Sequence, residues 1–165
     1  MKKIYKFKNF LSIYRFDFNS KFIKQKDFHK ITLNDAVMVI CDYKNKILIL
    51  KEYRIGLKKF SWGLPGGFIN KNERPSKTAI RELNEETGLK ISKVKFLAKF
   101  VRNGNYHCGI DHIYYSKVKS NKITLEKNVF SKWLTKSEVK QYIKKNRFET
   151  PGVISALHYF LYCFD

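Results

Sequence analysis

Residues 67–89, GFINKNERPSKTAIRELNEETGL, constrain the fold more than any other stretch of this chain. Pro75 has the fixed φ that suits a first helical turn, and Gly88 suits the left-handed position just past a helix end. Residues 76–87 between them hold neither Gly nor Pro, so the spacing predicts a helix there. At about 100° per residue, Glu82, Glu85 and Glu86 fall at about 0°, −60° and +40°, on one face. Ala79, Ile80, Leu83 and Thr87 fill the adjoining arc, from about +60° to +160°. Such a helix docks by its apolar arc and carries three carboxylates along the rim of that contact.

Like charges at i, i+3 and i+4 repel, each pair costing up to about 0.5 kcal/mol on an exposed helix and more when partly buried. A hard divalent cation is the plainest compensation. Carboxylate oxygens with no His or Cys nearby suit Mg²⁺, with Mn²⁺ as a substitute, rather than zinc. The bland alternative is a solvated face with Lys77, Arg81 and Lys90 as partners.

Around this segment the chain reads as strands and two further helices. Apolar–polar alternation predicts strands from Phe10 to Phe18 and from Phe22 to Ile31. Ala36–Cys41 and Lys46–Leu50 read as buried neighbouring strands joined by the polar turn Asp42–Asn45. Residues 55–67 hold five glycines and prolines and break the pattern. Ile91–Val101 and Ile110–Val118 read as two more strands around a polar loop, Arg102–Gly109. Thr135-Lys136-Ser137-Glu138 is a capping box opening a helix to about Lys145. Thr150-Pro151 opens a last helix, Val153–Phe164, apolar enough to dock on the core. The fold class is α/β: an α/β/α sandwich built on a mixed sheet.

Composition bounds the partners. A length of 165 residues with 44% hydrophobic and 29% charged residues is that of one folded domain, which excludes disorder, collagen-like repeats and disulfide-stapled miniproteins. The 34 basic residues against 14 acidic ones leave a net charge of +20, a field that favours polyanions. Yet 28 of the 34 are Lys, scattered without a block of five or six, and Ala occurs only four times. That pattern reads as compositional bias, so nucleic acid is a less favoured partner than a small nucleotide. Cys41, Cys108 and Cys163 have no metal-site or C-x-x-C spacing and read as free thiols in a reducing compartment. The basic start, Met1–Lys8, is too interrupted for a signal peptide, and no run of eighteen apolar residues exists. A cytoplasmic protein without a membrane partner is expected.

The segment 67–89 also matches G-x₅-E-x₇-R-E-U-x-E-E-x-G-U, with U a bulky aliphatic, at every position. Gly67, Glu73, Arg81, Glu82, Glu85, Glu86 and Gly88 are the specified residues, and Leu83 and Leu89 take the U places. Chance would produce this about once in 10⁷ chains of this length. This is the Nudix box, and the chain resembles a Nudix hydrolase. The resemblance implies a single Nudix domain over residues 1–165, with an N-terminal strand extension over about 1–33. It implies a loop–helix–loop holding divalent metal against a substrate diphosphate, with Glu82, Glu85, Glu86 and the Gly67 carbonyl as metal ligands. Glu73 and Arg81 match the pair that holds loop and helix together. The implied reaction hydrolyses a nucleoside diphosphate linked to another moiety, the metal polarising phosphoryl oxygen and activating water.

Outside the box, Glu52-Tyr53-Arg54 before Trp62-Gly63-Leu64-Pro65-Gly66-Gly67 is similar to the ADP-ribose and nucleotide-sugar pyrophosphatase branch. Much of that branch carries Glu where this chain has Gly63. The N-terminal strands also resemble that branch, in which such strands often build a homodimer. Arg54 and Trp62 are therefore candidate substrate contacts, one pairing a phosphate and the other stacking on a base. Among the acids beyond the box, Asp111 and Glu126 are the remaining candidates: Asp111 for substrate, and Glu126 with Glu85 for catalysis. Hydrolysis of nucleoside triphosphates or RNA 5′ ends is the alternative chemistry. A non-catalytic ligand sensor or RNA-binding module is the alternative class, and a complete set of box glutamates argues against it.

Overall fold

A computed structural model of the chain describes residues 1–8 and 11–164. Phe10, where the first predicted strand begins, lies outside the described residues. Among those described, the chain order is β1 (Lys2–Phe7), β2 (Leu11–Asn19), β3 (Lys24–Leu33), β4 (Ala36–Tyr43), β5 (Lys46–Arg54), β6 (Lys59–Gly63), α1 (Pro75–Thr87), β7 (Lys95–Val101), β8 (His107–Cys108), β9 (Ile110–Lys117), β10 (Phe130–Thr135), α2 (Lys136–Lys144) and α3 (Pro151–Cys163). The first three strands form an antiparallel meander that β8 joins in parallel at β3. The second sheet runs β10-β5-β4-β9-β7, with β6 antiparallel to β5. Strands β4 and β9 are parallel in it, so both sheets are mixed.

The period-2 alternation of β4 and β5 builds two cores at once. Val37, Val39, Cys41, Leu48 and Leu50 face α1, meeting Ala79 and Leu83. Ile40, Ile47 and Ile49 point the other way, into Val139 of α2 and Val153, Ala156, Leu157 and Phe160 of α3. A sheet with both faces covered is the expected α/β/α sandwich. No described helix is long and apolar enough to cross a membrane.

One detail of the sheet makes room for the site. Strands β4 and β5 pair only beside their hairpin turn, at Asp42–Ile47 and Tyr43–Lys46, and then diverge. The bare edge of β4 is taken instead by the segment after β6: Val39 N–H donates to Pro65 O at 2.8 Å and Val37 N–H to Gly67 O at 2.9 Å. The glycine-rich loop is thereby held as a strand-like insert between β4 and α1. Helix α1 itself has Pro75 in its first turn, and Gly88 adopts φ 69° where its N–H closes onto Asn84 O. The Thr135–Glu138 capping box forms in both directions at the start of α2.

Several expectations need correcting. The strand predicted from Ile91 starts only at Lys95; Ile91 and Val94 are spent packing against the α1 core from an irregular segment. The loop Arg102–Gly109 contains β8, and the glycine-rich break at 55–67 contains β6. Strands β1 and β10 carried no recognisable signal. Every residue of β1 is exposed, and β10 buries only Leu134, so neither shows a clean inside–outside alternation.

Candidate active site

Arg81 is the hub of the box. Its Nε donates to Glu73 Oε1 at 3.0 Å and its Nη2 to Glu73 Oε2 at 3.1 Å, a two-pronged bridge across eight residues. This hydrogen-bonding to the guanidinium brings the Glu73 carboxyl down to about 2. The Nη1 of Arg81 lies 2.9 Å from Glu82 Oε1 and 2.8 Å from Glu85 Oε2. One side chain thus ties the loop before α1 to two carboxylates on its face.

Glu86 reaches the loop directly, its Oε2 accepting from Gly66 N–H at 2.9 Å. Burial pushes its carboxyl up to about 8, with the charges of Glu52 and Glu82 adding to the rise. Burial also raises Glu82, against the pull of Arg81. Loop and helix touch without slack. A Cβ on Gly66 would sit 2.1 Å from the Val37 carbonyl oxygen, and one on Gly67 would sit 2.5 Å from the Glu82 carboxylate. Glycine is required at Gly66, where the Cβ would meet backbone; at Gly67 it leaves room for the Glu82 carboxylate, the end of a flexible side chain.

These residues fit a hard divalent cation. The donors are all oxygen, and two carboxylates are held under burial and mutual repulsion that a cation would relieve. Among the described residues no three His, Cys, Asp or Glu side chains converge as a finished cage. Mg²⁺ suits such an open site, because it is commonly held by one or two carboxylates, waters and the substrate's own phosphates. Glu85, 57% exposed, is the most open of the three and among the described residues is engaged by Arg81. The Gly67 carbonyl already accepts from Val37, which leaves one lone pair for another partner.

Beside the loop opens a cleft of about 530 Å³, lined in part by Arg54, Gly67, Phe68, Arg102, Asp111 and Gly152. Arg54 forms an ion pair with Glu52 at 2.9 Å and stays half exposed. Its Nη2 lies 3.6 Å from where a Cβ on Gly63 would be, so a bulky residue there would crowd the guanidinium. Arg102 lines the same cleft; its guanidinium sits 5.5 Å over the Phe68 ring and its Nε 2.9 Å from Asp111 Oδ1. That Nε is buried and lacks the alignment of a hydrogen bond. Asp111 is buried, which raises its carboxyl while Arg102 opposes the rise.

The fold therefore brings Arg54, Asp111 and Gly67 to one cleft, with Glu82 and Glu86 behind its loop. Trp62 does not line this cleft. It points into a separate cavity with Tyr142, because its strand position faces α2. Glu126 is exposed on the segment after β9, and its side chain has no hydrogen bond or ion pair among the described residues. That segment is tied to the end of α1, Thr124 N–H donating to Thr87 O at 2.9 Å. Two residues were missed. Glu52 continues the Leu48, Leu50 alternation to the α1 side of β5, which period-2 counting could have revealed. Arg102 lies in a predicted loop and had no local signal.

A domain with two covered sheet faces, and a loop–helix–loop gathering carboxylates at its edge, defines a class before any comparison. Residues 32–156 match the NUDIX domain. The chain belongs to the NUDIX family and is a Nudix hydrolase. It is 34% identical over 129 residues to a methanol dehydrogenase activator from Bacillus methanolicus, covering 75% of this chain and 69% of that protein. It is 38% identical over 91 residues to an ADP-ribose pyrophosphatase from Methanocaldococcus jannaschii, covering 53% of each. The same fold occurs in a crystal structure of ADP compounds hydrolase, with TM-score 0.77, 19% identity, 97% of this chain and 88% of that one. Against the ADP-ribose pyrophosphatases of M. jannaschii and Bacillus subtilis the chain spans about half of their length.

Proposed function

We propose that the protein is a Mg²⁺-dependent pyrophosphohydrolase that splits a nucleoside diphosphate joined to a second group, ADP-ribose or an NDP-sugar, into two monophosphates. The observation that carries this reading is the shared loop. Residues Gly66–Phe68 form one wall of the cleft, and on their far side touch Glu82 and Glu86. Glu82, Glu86 and the Gly67 carbonyl would hold a cation that neutralises the diphosphate, and Arg54 and the Arg102–Asp111 pair would hold its two ends. Two-ended holding favours a molecule with groups on both sides of the phosphates. Two of the relatives that support this reading are named ADP-ribose pyrophosphatases.

The cation, when bound, polarises the phosphoryl oxygens and lowers the pKa of a coordinated water. The chain's own residues do the rest. Arg81 fixes the directions of Glu82 and Glu85, and Glu73 fixes Arg81. Glu85 Oε2 is taken by Arg81, leaving Oε1 as a proton acceptor, and Glu126 is the second candidate base. Arg54 neutralises phosphate charge at one end of the cleft.

The test is a panel of ADP-ribose, NDP-sugars, dinucleotides, dNTPs and 5′-triphosphate RNA with Mg²⁺ or Mn²⁺, with products identified by ³¹P NMR. At least one diphosphate-linked compound should turn over faster than any dNTP, and ¹⁸O from water should appear on phosphate. Preference for dNTPs or triphosphate RNA over every such compound refutes the substrate class. A homodimer is part of the same proposal, supported by exposed Ile4, Tyr5, Phe18, Phe22 and Ile23 on the N-terminal meander. Sedimentation equilibrium tests it.

A further inference from the structure

The cavity that holds Trp62 is not part of the cleft. It has a volume of about 330 Å³ and is walled by Lys51 of β5, Trp62 of β6, Lys132 of β10, and Gln141, Tyr142, Lys145 and Arg147 at the end of α2. Four of these seven residues are cationic, and none of the four has an ion-pair partner among the described residues. No Asp or Glu lines the cavity. Glu138, whose charge is felt at Lys132, is engaged by Thr135 at the other end of α2. The acids of this chain are too few to neutralise its lysines, yet the remaining lysines are mostly dispersed. Here the fold converges four cations from two strands and a helix end.

Local structure explains only part of this convergence. Lys145 complements the negative end of the α2 dipole, as a helix C-terminus favours. Lys51 and Lys132 come from strands and have no such reason. Their ammonium groups are instead positioned by aromatic rings: Lys51 Nζ is 5.6 Å and Lys132 Nζ 5.5 Å from the Trp62 ring centroid. Lys132 Nζ also donates to the Tyr142 hydroxyl at 3.1 Å. Cation–π contacts of this kind offset part of the repulsion and aim the charges without consuming them. In a concave wall the resulting field is focused on the cavity.

We propose that this cavity is a second binding site, for the phosphate of a nucleotide, either free or within a single strand. Its volume of about 330 Å³ lies at the low end of ligand pockets, roughly 300–1,000 Å³, and suits one nucleotide. Four donors match the oxygens of a phosphate, and the exposed part of Trp62 offers a stacking surface for the attached base. The site lies on the α2 face of β5, whereas Glu52 and Glu86 lie on its α1 face. Occupation of the cavity and of the cleft is therefore independent in space.

Trp62 supplies its own readout, because the chain has only one other tryptophan, Trp133, which meets Tyr43 edge-to-face on the opposite face. In a Trp133→Phe variant, Trp62 fluorescence is titrated in metal-free buffer with inorganic phosphate, AMP and a short oligouridylate. A saturable change is expected with AMP or the oligomer, weakened about tenfold or more by the double substitution Lys132→Gln/Lys145→Gln, and unchanged by Arg54→Ala. Equilibrium dialysis of labelled AMP and oligomer, in the Arg54→Ala background with and without the double substitution, repeats the test without the Trp133 change. An oligomer bound far more tightly than AMP, with a steep salt dependence, identifies a strand as the ligand; equal binding identifies the free nucleotide. No saturable change in either measurement, or binding indifferent to the loss of Lys132 and Lys145, overturns the proposal.

Discussion

Gly67→Ala separates a structural from a chemical role for the box loop. The added Cβ would lie 2.5 Å from the Glu82 carboxylate, where ordinary contact begins at 3.4 Å, so that carboxylate must move by about 0.9 Å. The displaced group is the end of a flexible side chain, and the Gly67 backbone needs no unusual φ. The stability cost is then the loss of one Arg81–Glu82 contact, about 0.5 to 1 kcal/mol, offset by about 0.4–1 kcal/mol from a less flexible unfolded chain. The net change is near zero. Catalysis should fare differently, since a misplacement of about 1 Å in a catalytic group costs on the order of 100-fold in rate. Gly66→Ala is the control: its Cβ would lie 2.1 Å from a backbone carbonyl, at φ 155°, and nothing there can yield. Thermal melts with turnover of the best substrate decide the matter. Gly67→Ala should melt within a few degrees of wild type and lose about 100-fold in kcat, while Gly66→Ala should melt far lower. Near-normal turnover in Gly67→Ala, or a loss of stability as large as in Gly66→Ala, would refute the reasoning.

Glu86→Gln should lower kcat by several powers of ten and raise the melting temperature of the metal-free protein, because a buried carboxylate beside Glu52 and Glu82 is replaced by a neutral group. Glu85→Gln should lower kcat as strongly with little effect on melting, given its exposure. Arg54→Ala should raise KM more than it lowers kcat, in steady-state assays with an NDP-sugar. Glu73 has a folded pKa brought down to about 2, so its stabilising contribution is complete above its usual pKa near 4.5 and disappears as pH falls toward 2. Arg81→Ala should therefore flatten the acid limb of the stability–pH curve, measured by urea unfolding between pH 6 and 2; an unchanged limb would remove the pair as its cause.

The box helix, its caps, the capping box of α2 and the two central strands were all legible in the sequence, because each rests on interactions within about four residues or on a strict period. The carboxylate face of α1 follows from helix geometry alone, and so does the identity of Glu82, Glu85 and Glu86 as neighbours. What the tertiary structure decided was which residues meet from far apart. The divergence of β4 from β5 leaves an edge for Pro65–Gly67, and that insertion puts Gly66 against Glu86 and Gly67 against Glu82. Arg102 reaches Asp111 and Phe68 only because β7 and β9 are paired. Arg54 ends β5 and Trp62 lies eight positions on in its partner β6, yet the paired strands send one to the cleft and the other to the α2 cavity. A linear pattern specifies local conformation through short-range sterics and hydrogen bonds. It carries no information on which face of which strand a distant side chain will find, since that depends on how the sheet pairs and twists as a whole.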